Sequence, residues 1–259
     1  MILLTGSNGF IASNFIKTCG ESILKLDFSN HMDIFNSDFP WGEISKIYHL
    51  GAISNTTETD VDRIYNLNIK YSIALFEFAI RYKIPVAYAS SASVYGKSFS
   101  HQINPLNYYA LSKATVDCWV QDNMNKFSNV IGCRFYNVYG SGEHHKGNQA
   151  SPIHQFSLQA KNNGVIKVFE GSEKYYRDFV HVDDAIRCMT TERESGIYDI
   201  GTSSPISFLE VAKRVSRKYD SFIDIISFPH HLKNKYQEYT CAQRHYKYDF
   251  ISVRDFLES

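Results

Sequence analysis

The segment Gly6-Ser7-Asn8-Gly9-Phe10-Ile11-Ala12 lies between the apolar run Ile2-Leu3-Leu4 and a stretch of helical periodicity from Ile11 to Thr18. No other feature restricts the chain as strongly, because a glycine turn joining a strand to a helix opens a β-α-β unit. The rhythm continues through Ile23 to Leu26, Ile47 to Leu50, a helical segment Ile64 to Tyr82, and Val86 to Ala89. Short apolar runs alternating with helices predict a parallel sheet covered on both faces. A helix from about Tyr109 to Lys126 and a buried strand Val130 to Tyr136 complete a doubly wound α/β domain.

After Gly140 the pattern loosens into Gly, His, Asn and Gln through Gln149, too polar for a core element and expected to be a functional loop. Further on, Ser207-Phe208-Leu209-Glu210 has the form of a capping box and opens a helix to about Tyr219, while Phe222 to Phe228 reads as a strand. The expected division is a dinucleotide-binding domain over 1–145, joined by 178–202, and a small C-terminal α/β substrate lobe from 146–177 and 203–259.

The glycine turn has a mechanism at this place. Gly6 allows the tight turn, Gly9 lets the backbone approach a pyrophosphate, and Ala12 permits close packing of helix on strand. The phosphates would rest on the helix N-terminus, where unpaired N–H groups and the macrodipole favour negative charge. Asp27 ends the second apolar run about twenty residues on, where an acid accepts from ribose hydroxyls. The expected cofactor is therefore NAD or NADP. With no Lys or Arg between Asp27 and Ser45 to meet a 2′-phosphate, NAD is favoured.

Lys plus Arg and Asp plus Glu each total 27, so the overall field attracts neither nucleic acid nor an anionic membrane. No apolar run is long enough to cross a bilayer, and Met1 to Thr5 carry no basic leader. Cys19, Cys118, Cys133, Cys188 and Cys241 form no C-x-x-C pair and no disulfide pattern, which fits a reducing, cytoplasmic setting.

Tyr109-Ala110-Leu111-Ser112-Lys113 places a phenol and an ammonium one helical turn apart on one face. A neighbouring Lys⁺ and a cationic nicotinamide both favour phenolate, which would make Tyr109 a usable base. Ser90-Ser91-Ala92 follows a strand, at the sheet end where ligands bind, so Ser91 is expected to donate to the reacting oxygen.

With Ala89 to Gly96 and Arg134-Phe135-Tyr136-Asn137-Val138-Tyr139-Gly140, these motifs resemble the extended short-chain dehydrogenase/reductase superfamily, whose sheet is of Rossmann type. Within it the chain is most similar to the family of ADP-heptose 6-epimerases. Gly51 to Glu58, His145-Lys146-Gly147, Phe169 to Glu173, Arg177 to Val180, and Phe228-Pro229 through Tyr236-Gln237 carry that similarity over most of the chain. The resemblance implies cofactor contacts at Phe10, Ile11, Asp27, Phe28, Asp33, Leu50, Gly51, Ala52, Asn68, Lys113 and Val138, beside Gly6 and Gly9. It implies substrate contacts at Ser54, Asn137, Asn148, Gln155, Phe169, Glu170, Gly171, Ser172, Arg177 and Tyr236, with Arg177 suited to a diphosphate.

The resemblance also assigns Lys146 as a second acid/base group beside Tyr109, since inversion of a carbinol needs proton handling in two orientations. A lysine acting as base calls for a desolvated site or a nearby cation. The expected activity is epimerisation of a nucleotide-diphosphate sugar, a heptose at C6 foremost. Alternatives are a hexose 4-epimerase, a related dehydratase or reductase, and a non-catalytic NAD(P) sensor. A dehydratase would carry an Asp-Glu pair after the serine, where this chain has Ala92-Ser93. His144-His145 lacks further ligands at metal spacing, so no metal is expected. A homo-oligomer is left open.

Overall fold

The structure is a computed structural model and describes residues 1–98, 100–229 and 237–258. Its centre is a six-stranded sheet of β1 (Ile2–Thr5), β2 (Ile23–Leu26), β3 (Lys46–His49), β4 (Val86–Ser91), β5 (Val130–Phe135) and, after the short β6 (Asn137–Tyr139), β7 (Val165–Phe169), β8 (Tyr176–Arg177) and β9 (Phe179–His181), the returning strand β10 (Gly196–Ile200). The order is β10-β5-β4-β3-β1-β2, and all neighbours are parallel.

Alternation along β1 explains why both faces must be covered: Ile2 and Leu4 enter one core, and Leu3 enters the other. The first core lies under α1 (Phe10–Thr18). The other takes Leu75, Phe76, Val116 and Val120 from the helices that follow β3 and β4. The run predicted as one helix from Ile64 divides into α2 (Val61–Ile64), a π-helical turn over Tyr65–Lys70, and α3 (Tyr71–Tyr82). The wider turn adds backbone where Asn68 points inward, a departure that hydrophobic spacing does not announce. α4 (Tyr108–Asn123) starts at Asn107, whose side chain accepts from the Ala110 N–H at 2.8 Å.

A second group of elements comprises α5 (Pro152–Asn163), α7 (Phe208–Tyr219), α8 (Val253–Glu258) and the parallel pair of β7 with β12 (Phe222–Ile226), while α6 (Val182–Thr190) packs with the first core. Ile153, Phe156, Ile166, Val211 and Val215 form its own apolar cluster. Here β12 ends at Ile226, before the predicted Phe228, and β5 ends at Phe135, where Tyr136 turns its N–H to Ile200. β11 (Ile206–Ser207) pairs with β8 and leads into α7. Ser207 caps the Glu210 N–H at 3.2 Å, but the Glu210 carboxylate turns to Arg214 at 2.9 Å, so only half of the predicted capping box forms.

Among the described residues no helix is long and apolar enough to cross a membrane.

Candidate active site

Because β1 runs to β2 on one side and to β3 on the other, a crevice opens where the order reverses, beyond the strand ends. The turns that leave β1 and β3 meet there. Gly6 has φ +66°, and a Cβ on it would stand 2.6 Å from the Gly51 Cα, so the first turn requires glycine, while a Cβ on Gly51 would come to 3.0 Å from the Gly6 nitrogen. The Gly9 N–H closes the first turn on the Gly6 carbonyl at 2.9 Å. No side chain caps α1, which leaves its first-turn N–H groups open to an anion.

Asp27 stands beside them, accepting from the Asn8 N–H and the Phe28 N–H, each at 2.8 Å. Tyr71 closes this end; it is 8% exposed, and its hydroxyl has no hydrogen-bond partner in the structure. Open amides, an anchored acid and an orphaned buried hydroxyl fit a dinucleotide.

From this end a cavity of about 710 Å³ reaches the C-terminal end of β4. Of the predicted cofactor residues, Gly6, Gly9, Phe10, Ile11, Asp27, Phe28, Leu50, Gly51, Ala52, Lys113 and Val138 line it. Ser54, Asn137, Ser91, Tyr109 and Lys146 line it too.

Asp33 and Asn68 do not. Asp33 is exposed on the 3-10 turn His31–Phe35, whose His31 lines the cavity. Asn68 is 1% exposed, and its amide is consumed inside the protein: it accepts from the Ile53 N–H at 2.8 Å and donates to the Ile53 carbonyl and Ser112 Oγ, both at 3.0 Å. These bonds hold the turn after β3.

Asn68 belongs to a buried chain. Gly51 N–H donates to Thr5 Oγ1 at 3.1 Å, so the Thr5 hydroxyl donates to His49 Nδ1 at 2.6 Å. Ser72 Oγ donates to the Asn68 carbonyl at 2.6 Å and therefore accepts from His49 Nε2 at 2.8 Å. At the far end Ser112 Oγ donates to the Tyr109 carbonyl at 2.7 Å. The glycine turns and the Tyr109 helix are thus joined through side chains from five elements.

Tyr109 and Lys113 share a face of α4, and Lys113 Nζ donates to the Ala89 carbonyl at 2.6 Å. Ser91, the last residue of β4, is hydrogen-bonded to Tyr109. One turn beyond Lys113, buried Asp117 accepts from Tyr88 and Ser90, each at 2.9 Å, and pairs with Arg134 at 2.8 Å. Burial pulls the Lys113 ammonium down to about 8, with Asp117 opposing. Of the two cations expected to favour the Tyr109 phenolate, Lys113 is not among the groups that shift it in the protein alone. Burial pushes the phenol up, Ser91 pulls it back, and Asp117 adds to the rise.

Lys146 comes from the other wall, on the 3-10 segment Glu143–Gln149. Its ammonium lies 3.4 Å from Glu143 Oε2 and 4.9 Å above the Phe10 ring. Of the two settings expected for a lysine base, a desolvated site or a nearby cation, the ion pair found is neither: the neighbour is a carboxylate. His144 and His145 meet edge to face, and among the described residues no three His, Cys, Asp or Glu side chains gather as a metal site.

A smaller cavity of about 250 Å³ adjoins the first at Ala150 and Pro152. Asn148, Gln155, Phe169 and Ser172 line it, joined by Tyr175 and Phe228. Phe228 meets the Phe169 ring at 5.6 Å and the Tyr175 ring at 5.5 Å. Glu170 is exposed outside it, and Gly171 shapes the turn after β7. Arg177 is also outside both cavities. It is 7% exposed, with its guanidinium on the Tyr176 and Gln237 carbonyls and over the Phe208 ring. Tyr236 lies outside the described residues.

Sequence reasoning passed over Tyr71, His31, His145 and Gln149, all of which line the larger cavity, and Tyr175 in the smaller one. The spacing of Tyr71 from Asn68, three residues along a helical pattern, was the one signal available for any of them.

This fold and site define a nucleotide-cofactor enzyme acting at the C-terminal edge of a doubly wound sheet. The chain belongs to the NAD dependent epimerase/dehydratase family, which it matches over residues 2–201. It is 36% identical to an ADP-L-glycero-D-manno-heptose-6-epimerase of Alkalilimnicola ehrlichii, over 93% of this chain and 88% of that protein. Among solved structures it resembles the Helicobacter pylori ADP-L-glycero-D-manno-heptose-6-epimerase, with TM-score 0.76, 24% identity, and coverage of 99% of this chain and 93% of that one. It also resembles the UDP-N-acetylglucosamine 4-epimerase of Methanobrevibacter ruminantium, with TM-score 0.82, 18% identity, and coverage of 99% and 96%.

Proposed function

We propose that this chain inverts one carbinol carbon of a nucleotide-diphosphate sugar, C6 of an ADP-heptose, by transient oxidation and re-reduction with retained NAD. The supporting observation is that Tyr109 on α4 and Lys146 on the loop after Gly140, two proton-carrying side chains from separate elements, line one cavity. The cofactor would lie along the glycine turn and Asp27, and when bound it takes a hydride from the sugar carbon and gives it back. Asp27 is anchored for ribose hydroxyls, and Lys113 and Lys146, both at the reacting end, are the Lys or Arg side chains among the described residues lining the cavity, which favours NAD over NADP.

Ser91 holds the sugar oxygen while Tyr109 takes its proton, leaving a ketone at C6. When the ketone presents its other face, Lys146 would give a proton to the oxygen as the hydride returns to carbon, and solvent then takes the proton from Tyr109 and restores the one lost by Lys146, so that redox state and atoms balance over the cycle. The aromatic cavity of Phe169, Tyr175 and Phe228 takes the nucleobase, and the second apolar cluster serves as the substrate lobe. Ala92-Ser93 after Ser91 supplies no acid for elimination, and the five free cysteines fit a reducing cytoplasm.

Proton NMR of products from ADP-, GDP- and UDP-linked heptoses and hexoses tests the reading. Inversion at C6 of ADP-heptose is expected; inversion at C4 of a hexose, loss of water, or no reduction of bound NAD by any of them would overturn it.

A further inference from the structure

We infer that Glu143 is the positioning residue for Lys146, fixing its ammonium on the cavity wall opposite Tyr109. This rests on the reading of Lys146 as the second acid/base group. The loop from Gly140 to Gln149 is polar throughout and six of its residues are exposed, yet Glu143 is 1% exposed. A carboxylate is not buried without partners. Glu143 has one on every side: the Gly140 N–H at 3.1 Å, the Ser151 N–H at 2.6 Å, Ser151 Oγ at 2.7 Å and Lys146 Nζ at 3.4 Å.

The first three tie both ends of the loop, from the end of β6 to the cap of α5, around one acid. The fourth reaches into the cavity. Among the described residues no other ion pair reaches Glu143 or Lys146. The rest of the setting leaves Lys146 unheld. Its remaining charge contact is the face of Phe10, and the Gln155 side chain holds the backbone carbonyl of Gly147, one residue further on, at 2.7 Å. Gly147, with φ +51°, lets the chain turn away directly after the lysine. A flexible four-carbon side chain is therefore aimed by one buried carboxylate, which is the arrangement a proton donor needs if it is to meet a ketone oxygen at one face only.

Glu143→Gln keeps the shape and most acceptors but removes the charge. Two rates separate aiming from anchoring: epimerisation, and the half-reaction in which the sugar reduces bound NAD in one turnover, which uses Tyr109. In E143Q the ratio of epimerisation to half-reaction should fall about tenfold or more, in kcat with KM held. Glu143→Asp, which keeps the charge but withdraws it by one methylene, should fall between E143Q and the unaltered enzyme. If Glu143 only anchors the loop, both rates fall together or KM rises, and the inference is overturned. It is overturned equally if E143D keeps the full ratio, an outcome that can be read even where E143Q does not fold. Lys146→Met separates this from the reading beneath it: K146M with full epimerisation defeats the second acid/base group itself, whereas K146M without epimerisation beside an E143Q of unchanged ratio defeats only the role of Glu143.

Discussion

The rings of His31 and Tyr71 meet edge to face, 5.2 Å between centroids and 71° between planes, so that the Tyr71 hydroxyl is held at the adenosine end of the cavity with nothing in the protein to bond. An unsatisfied buried hydroxyl weakens the empty protein and waits for a ligand. Tyr71→Phe should therefore act with opposite signs: the cofactor-free protein gains roughly 1 kcal/mol, while NAD affinity drops by about five- to tenfold. Thermal unfolding with and without NAD reads both, and a variant that loses stability in both states would refute the assignment.

His49 predicts an acid limit. Burial, with Lys113 adding to the effect, pulls its imidazole down from 6.5 to about 3. Below pH 6.5 the unfolded chain takes a proton that the folded chain refuses, so this contribution is present above 6.5 and is lost as pH falls toward 3. The loss is about 2 kcal/mol by pH 5. Denaturant titrations across pH 7 to 4.5 should give a shallower slope for His49→Gln than for the unaltered protein.

Asn68 should behave as a brace. Asn68→Ala strands the Ile53 N–H and carbonyl, at a cost of about 1–3 kcal/mol. Through Ser112 it also loosens Tyr109, so kcat should fall while KM for the sugar nucleotide holds. A rise in the Kd of NAD with unchanged stability would instead mark Asn68 as a cofactor contact.

Phe228→Ala removes a ring from the smaller cavity, where stacking on a nucleobase is worth about 1 kcal/mol. Steady-state kinetics should show KM for the sugar nucleotide raised roughly fivefold with kcat nearly unchanged. Equal losses in both would place Phe228 outside the base site.

The features legible in the sequence are those set by neighbours along the chain. Gly6, Gly9 and Asp27 follow from strand, turn and helix in succession, and Tyr109 with Lys113 from one helical turn. What escaped depends on contacts distant in sequence. Asn68 looks like a polar helix residue, and only the π turn directs its amide into the Ile53 loop. The carbonyls at 176 and 237 and the face of Phe208 that Arg177 meets are likewise far from it in sequence or hidden in the backbone. Glu143 is one acid in a polar loop, and nothing in its neighbours reveals that it is among the most buried carboxylates of the chain.

Gly6 and Gly51 face each other across the two turns with no room for a methyl group between them. In evolutionary terms they form a single locus. Neither can accept a larger residue in exchange for a smaller one opposite, because both already have the smallest side chain available. A lineage that drifts at either position must redraw both turns at once, so the pair should persist among descendants of this chain even where the sugar they act on has changed.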